Sequence, residues 1–275
     1  MEPPQPECRG GLMLASLLAL VSGGLIGLIL GLIGGGGSIL AVPLLVYAVG
    51  EPSPHVAIGT AAFAVALNAA ASLGLHARRA PIRWPCALVF SAAGVGGALA
   101  GAALGKMLDG QKLLALFGLL MIVVGVIMLR PKPRTGSTPA RLTRANARRL
   151  LPRLIVLGGA VGVLSGFFGI GGGFLIVPGL ILAADMELPD AASASLVAVT
   201  AFGIASASSY AWSGLIDWPV ATLLVGGGLA GAIAGAKANA VLARRKGALA
   251  RVFAWFVIAA DLYVGSRGAL AVMQA

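Results

Sequence analysis

Hydrophobic positions in this chain gather in long unbroken runs, for example 55–75, 86–105, 113–129, 190–211 and 219–236. A helix rises ~1.5 Å per residue, so about 20 apolar residues cross a ~30 Å hydrocarbon core. The runs are rich in Ala, Leu and Gly and do not alternate with polar positions. That excludes a β-barrel, whose strands read apolar-out and polar-in. The pattern predicts an all-α polytopic membrane protein with spans at 55–77, 84–107 and 112–130, then 190–211, 218–242 and 247–268. Composition agrees: 11% of residues are charged, against about a quarter in soluble domains.

Two glycine-rich stretches interrupt the apolar pattern, GLIGGGGSILAVPLL at 31–45 and GFFGIGGGFLIVPGL at 166–180. A shift of 135 residues lays Gly23, Gly27, Gly31, Gly34, Gly36, Gly37, Pro43 and Pro54 on Gly158, Gly162, Gly166, Gly169, Gly171, Gly172, Pro178 and Pro189. A shift of 134 lays IRWP (82–85) on IDWP (216–219), and Gly94, Gly97 and Gly101 on Gly228, Gly231 and Gly235. This is an internal duplication. It divides the chain into an N-terminal tail (1–10), a first repeat (11–130), a basic linker (131–152) and a second repeat (153–275).

Charge predicts orientation. The stretch 130–153 carries eight Lys/Arg and no acid, which places it in the cytoplasm by the positive-inside rule. Arg78, Arg79 and Arg83 lie two spans earlier, on the same side, whereas the matching loop WSGLID (212–217) has no basic residue. The second half is basic one span later, at Arg244, Arg245 and Lys246. Each half is thus positive at a different loop, the pattern of two inverted-topology repeats. Inversion needs an odd number of crossings per half, and the arm after the first glycines, 38–49, is too short to cross. The expected fold is therefore two inverted repeats, each a re-entrant glycine-tipped helical hairpin (11–50 and 153–185) followed by three transmembrane helices. The net charge of +11 is read as topology, not as a nucleic-acid surface. Cys8 and Cys86 suggest neither a disulfide framework nor a metal site, and the acidic, proline-rich start MEPPQPECRG lacks the form of a cleaved signal peptide.

Irregular backbone survives at membrane depth only where protein buries it or a polar cavity solvates it. The short arm of each hairpin starts at the glycines, so its first N–H groups lack intrahelical partners and carry the positive end of the helix dipole. Paired tips near mid-membrane would form an anion cradle of Gly36, Gly37 and Ser38 with Gly171, Gly172 and Gly173. Pro43 and Pro178 loosen the short arms. Spaced glycines such as Gly97 and Gly101 are instead read as packing faces. Thr60 and Asn68 share a helix face, as do Ser195 and Ser206; these four either line the substrate cavity or bond to neighbouring carbonyls. Lys237 either snorkels or holds the anion. Asp261 either pairs structurally, with Lys237 or Arg267, or takes up a coupling proton. No nucleotide motif, paired acids or Ser/His or His/Cys cluster is placed for chemistry, so neither an enzyme nor a cofactor is expected.

The duplicated glycine stretch followed by proline, most complete at Gly169, Gly171, Gly172, Gly173 and Pro178, resembles the TauE/SafE family, also called the sulfite exporter or TSUP family. The resemblance covers about 11–130 and 153–270. It implies a transporter of the bacterial inner membrane whose cargo is a sulfur-containing anion such as sulfite, sulfoacetate or another organosulfonate. The first copy departs from the motif, with Ser38 where the second has Gly173, so the two half-sites differ. The expected function is a secondary carrier, with a proton or sodium ion as possible coupling partner. A passive anion channel and a membrane assembly protein are the alternatives.

Overall fold

A computed structural model describes residues 7–77, 82–129 and 147–242 of the chain. Among these residues every regular element is helical. In chain order they are α1 (Glu7–Ile33), α2 (Gly35–Val49), α3 (Pro54–Ala77), α4 (Trp84–Met107), α5 (Gly110–Leu129), α6 (Ala147–Phe168), α7 (Gly173–Ala184), α8 (Leu188–Trp212) and α9 (Trp218–Leu242). Six are long and apolar enough to cross a membrane: α1, α3, α4, α6, α8 and α9. This is a multi-pass helical membrane protein. The predicted span 247–268, together with Arg244, Arg245, Lys246, Asp261 and Arg267, lies outside the described residues, as do Arg78, Arg79 and most of the linker.

Helices α3 and α8 form the centre. Of their apolar windows 67% and 72% are buried, against 39–44% for the other candidate spans. They run antiparallel, with Gly59 against Tyr210 and Ala62 and Ala66 against Gly203. Two tight seams flank them. A Cβ on Gly23, Gly27 or Gly31 of α1 would strike the backbone of Leu224, Gly228 or Ala232 of α9. A Cβ on Gly158, Gly162 or Gly166 of α6 would strike Phe90, Gly94 or Ala98 of α4. In each seam the numbers rise together, so the paired helices are parallel, and a four-residue glycine spacing keeps one face of each helix bare. The repeat shifts lay one seam on the other, Gly27 on Gly162 and Gly228 on Gly94. Outward faces carry large apolar residues (Met13, Leu17 and Val21 of α1), and Trp84, Trp212 and Trp218 stand at helix ends, where amphipathic rings meet headgroups.

Both long arms begin before their expected boundaries. Helix α1 starts at Glu7, inside the stretch read as tail, and α6 at Ala147, inside the stretch read as linker. Arg148 and Arg149, near the end of the linker, are good helix formers, and Pro152 is accommodated near the N-terminus of α6. The short arms also differ from each other. Helix α2 is a 3-10 turn (Gly35–Leu40), a single α turn (Ala41–Pro43) and a π segment (Leu44–Val49). Its wide turns start directly after Pro43, which has no N–H for the ladder. Pro178, by contrast, sits inside the α-helix α7.

Candidate functional site

The first glycine stretch turns at Gly34, whose φ of 79° and ψ of −140° suit glycine alone. Gly36 and Gly37 lie inside the following 3-10 turn. The second stretch turns at Gly169, Gly171 and Gly172, with φ of 60°, 64° and 66°. Gly172 is the N-cap of α7.

The two tips touch backbone to backbone. A Cβ on Gly35 would lie 2.7 Å from the Gly173 carbonyl oxygen, and a Cβ on Gly173 would collide with the Gly35 carbonyl oxygen. Ser38 is fully buried beside them, and its hydroxyl donates to the Gly35 oxygen at 3.1 Å. Ser195 ties the first tip to the central helices. Its Oγ accepts from the Gly35 N–H at 3.0 Å and donates to the Ala192 oxygen at 2.7 Å. Gly37 packs on Leu30 and Ile26 of α1, and Gly171 on Val65 of α3 and Val199 of α8. Gly34 through Ile39 and Phe168 through Val177 are all buried.

The polar residues singled out within the spans divide. Ser195 and Ser38 join the tips. Thr60, at the repeat position of Ser195, accepts from the Asp217 N–H at 3.0 Å and so fastens the start of α9 to α3. Asn68 donates to the Leu224 oxygen at 3.4 Å beside Gly228 of the seam, while its Oδ1 is buried without a partner. Ser206 is buried and its Oγ has no partner. Lys237 is exposed on α9.

Three features escaped the sequence reading. Ser165 of α6 is fully buried with an unpartnered hydroxyl against Gly172; its helical distance from the glycines, within two turns, was the available signal. Lys106, at the end of α4, donates to the Ser209 carbonyl at 3.1 Å and to the hydroxyls of Ser209 and Ser213 at 3.0 Å each, with the Tyr210 ring 5.7 Å away. Cations stabilise helix C-termini in this way. Arg83 pairs with Asp190 at 2.7 Å, joining the start of α4 to the start of α8. The shifts map these two onto Asp217 and His55, so the second copy of the contact has changed its chemistry. Asp217 there caps α9, accepting from the Val220 N–H at 3.1 Å. Among the described residues no cluster of His, Cys, Asp and Glu is suited to a metal ion.

Residues 19–264 match the family described as sulfite exporter TauE/SafE. A probable membrane transporter protein from Xylella fastidiosa (strain Temecula1) is 44% identical over 252 residues, spanning 90% of this chain and 94% of the relative. The probable membrane transporter protein YdhB of Bacillus subtilis is 26% identical, over 78% of this chain and 86% of its own. One from Methanocaldococcus jannaschii is 28% identical, over 78% and 82%. No solved structure matches.

Proposed function

The chain belongs to the TauE/SafE sulfite exporter family of membrane transporters, and we propose from that premise a secondary carrier for a small sulfur-containing anion. Sulfite, sulfoacetate or another organosulfonate is the cargo, export across the bacterial inner membrane the direction, and the paired glycine tips the place where it is held. The observation that carries this reading is the meeting of the tips, Gly35 against Gly173, each a turn of backbone buried beside α3 and α8. Unsatisfied helix N-termini favour anions, and glycine lets a ligand approach main chain closely.

On this reading the halves are inverted copies. Helices α3 and α8 hold the same place in the repeat yet pack antiparallel, as copies related by an axis lying across the helices would. The seams α1–α9 and α4–α6 exchange under the same operation. With the helices spanning the bilayer, that axis lies in the membrane plane, and the two halves supply inward- and outward-open states of similar energy. At 12 residues α7 reaches only ~18 Å, so on this reading it returns to the side from which its long arm entered, and α2, its repeat counterpart and also shorter than a span, does the same. The sequence carries no nucleotide motif, so on this reading energy comes from an ion gradient or from a partner, and Asp261 is the candidate coupling group.

Purified protein in proteoliposomes tests the reading. Labelled sulfite or methanesulfonate should enter saturably, and faster when unlabelled anion is trapped inside. Flux that rises linearly with concentration, without trans-acceleration, would mean a channel. No flux of either anion would sink the sulfur-anion assignment.

A further inference from the structure

The two tips are not chemically equivalent, and their difference concerns which of them holds the charge. At the first tip three donors are committed, the Gly35 N–H to Ser195, the Ser38 hydroxyl to the Gly35 oxygen and the Ser195 hydroxyl to the Ala192 oxygen, and the Gly36 N–H precedes the 3-10 ladder with no free side-chain hydroxyl beside it. The second tip is arranged otherwise. The first hydrogen bonds into α7 run from the N–H groups of Leu175 and Ile176 to the Gly172 oxygen, both at 2.9 Å. The N–H groups of Gly173 and Phe174 therefore precede the intrahelical ladder. Ser165 stands under this turn, fully buried, its hydroxyl without a partner.

Among the described residues four helical serines, Ser72, Ser91, Ser165 and Ser206, are buried with an unpartnered hydroxyl, and of these Ser165 stands against Gly172 of the second tip. Ser193, Ser195, Thr200, Ser208, Ser213 and Thr222 each donate back to a carbonyl three or four residues earlier, the habit of Ser and Thr in helices. Ser165 forgoes that bond. A Cβ built on Gly172 would lie 2.5 Å from its Oγ, so the hydroxyl is turned towards the N-cap of α7. A buried hydroxyl left unsatisfied is costly, and a ligand oxygen would remove the cost. The 135-residue shift puts Leu30 at the equivalent point of the first copy, also fully buried.

Resting on the reading of the tips as the substrate site, we propose that binding is one-sided. The Ser165 hydroxyl and the first N–H groups of α7 hold the anion's oxygens, and the Leu30 side of the first tip closes over it as an apolar wall. The tips are packed together here, so the anion enters when they part. It then stays with the second half while the first half moves. Ser165 thereby becomes a substrate-binding residue with no counterpart in the other repeat.

The test is calorimetric titration of full-length purified protein with sulfite and with methanesulfonate. Ser165→Ala should weaken binding of whichever anion the wild type holds by about tenfold, the loss of one hydrogen bond to a charged group. Its melting temperature should stay level or rise, because only an unsatisfied oxygen has been removed. Ser165→Cys, nearly isosteric but a weaker donor, should fall between. Leu30→Val, the mirror change, should leave affinity within about threefold. Unchanged affinity in both Ser165 variants overturns the assignment while leaving the transport reading intact, as does a lowered melting temperature with normal affinity. Loss in Leu30→Val equal to that in Ser165→Ala overturns the one-sidedness. Absence of binding of either anion to wild-type protein overturns the carrier reading and this proposal with it.

Discussion

At the scale of single residues, glycine serves two purposes that substitution should separate. Gly172 holds φ at 66° as the N-cap of α7, whereas Gly101 lies within α4 at ordinary helical angles, facing the Val163 backbone of α6. Valine at Gly172 adds a β-branched side chain where left-handed backbone is needed and Ser165 already stands. We expect Gly172→Val to insert at reduced yield and to lose transport entirely, while Gly101→Val loses the folded protein through the seam. Membrane yield set against flux per folded molecule distinguishes them, and equal loss of yield in both would make Gly172 a packing residue. Ser195→Ala leaves the Gly35 N–H buried without its acceptor, a penalty of about 1–3 kcal/mol. Its melting temperature should fall clearly, and Ser195→Thr should recover most of the loss.

At the scale of elements, both ends of the central helix α8 are tied by charge to α4. Arg83–Asp190 joins the entry of α4 to the entry of α8, and Lys106 joins the end of α4 to the end of α8. The Arg83 and Asp190 side chains are 20% and 35% exposed, a partly screened contact, so its worth is about 0–1 kcal/mol. Asp190→Asn should therefore change the melting temperature little. Lys106→Met strips three oxygens of a shared charged donor and should destabilise by about 1–3 kcal/mol. A Lys106→Met melting temperature within error of wild type would show that water already satisfies the end of α8.

At the scale of the whole molecule, orientation is the open quantity that charge predicts. Fifteen of the twenty Lys/Arg fall on one side if residues 131–149 are cytoplasmic and the EPSP loop (51–54) is periplasmic. A single cysteine introduced as Ser137→Cys, with Cys8 and Cys86 replaced, should react with an impermeant reagent only after the cells are broken. Labelling in intact cells would reverse the topology. For coupling, Asp261→Asn should remove the pH dependence of flux between pH 6 and 8 and leave anion binding intact. Flux that still follows pH would make the carboxylate structural.

Much of this architecture was legible in one dimension because a bilayer imposes one-dimensional rules. Apolar run length sets the helices, and the predicted starts and ends of α3, α4, α8 and α9 agree with the observed ones to within two residues. The duplication is a property of spacing, and it named the seam glycines before any contact was known. Contacts made across more than a hundred residues were beyond such rules. Thr60, Asn68 and Ser195 read equally well as cavity lining or as partners of carbonyls, and only the tertiary approach of distant segments made Thr60 and Ser195 acceptors for the N–H groups of Asp217 and Gly35 and Asn68 a donor to the Leu224 oxygen. Arg83 looked like a topology signal until Asp190, from the other half, came within 2.7 Å. Ser165 was one serine among many on an apolar helix. Its isolation arises because the turn at 169–172 folds back over it, and a hydrogen bond that is not made leaves no mark in a sequence.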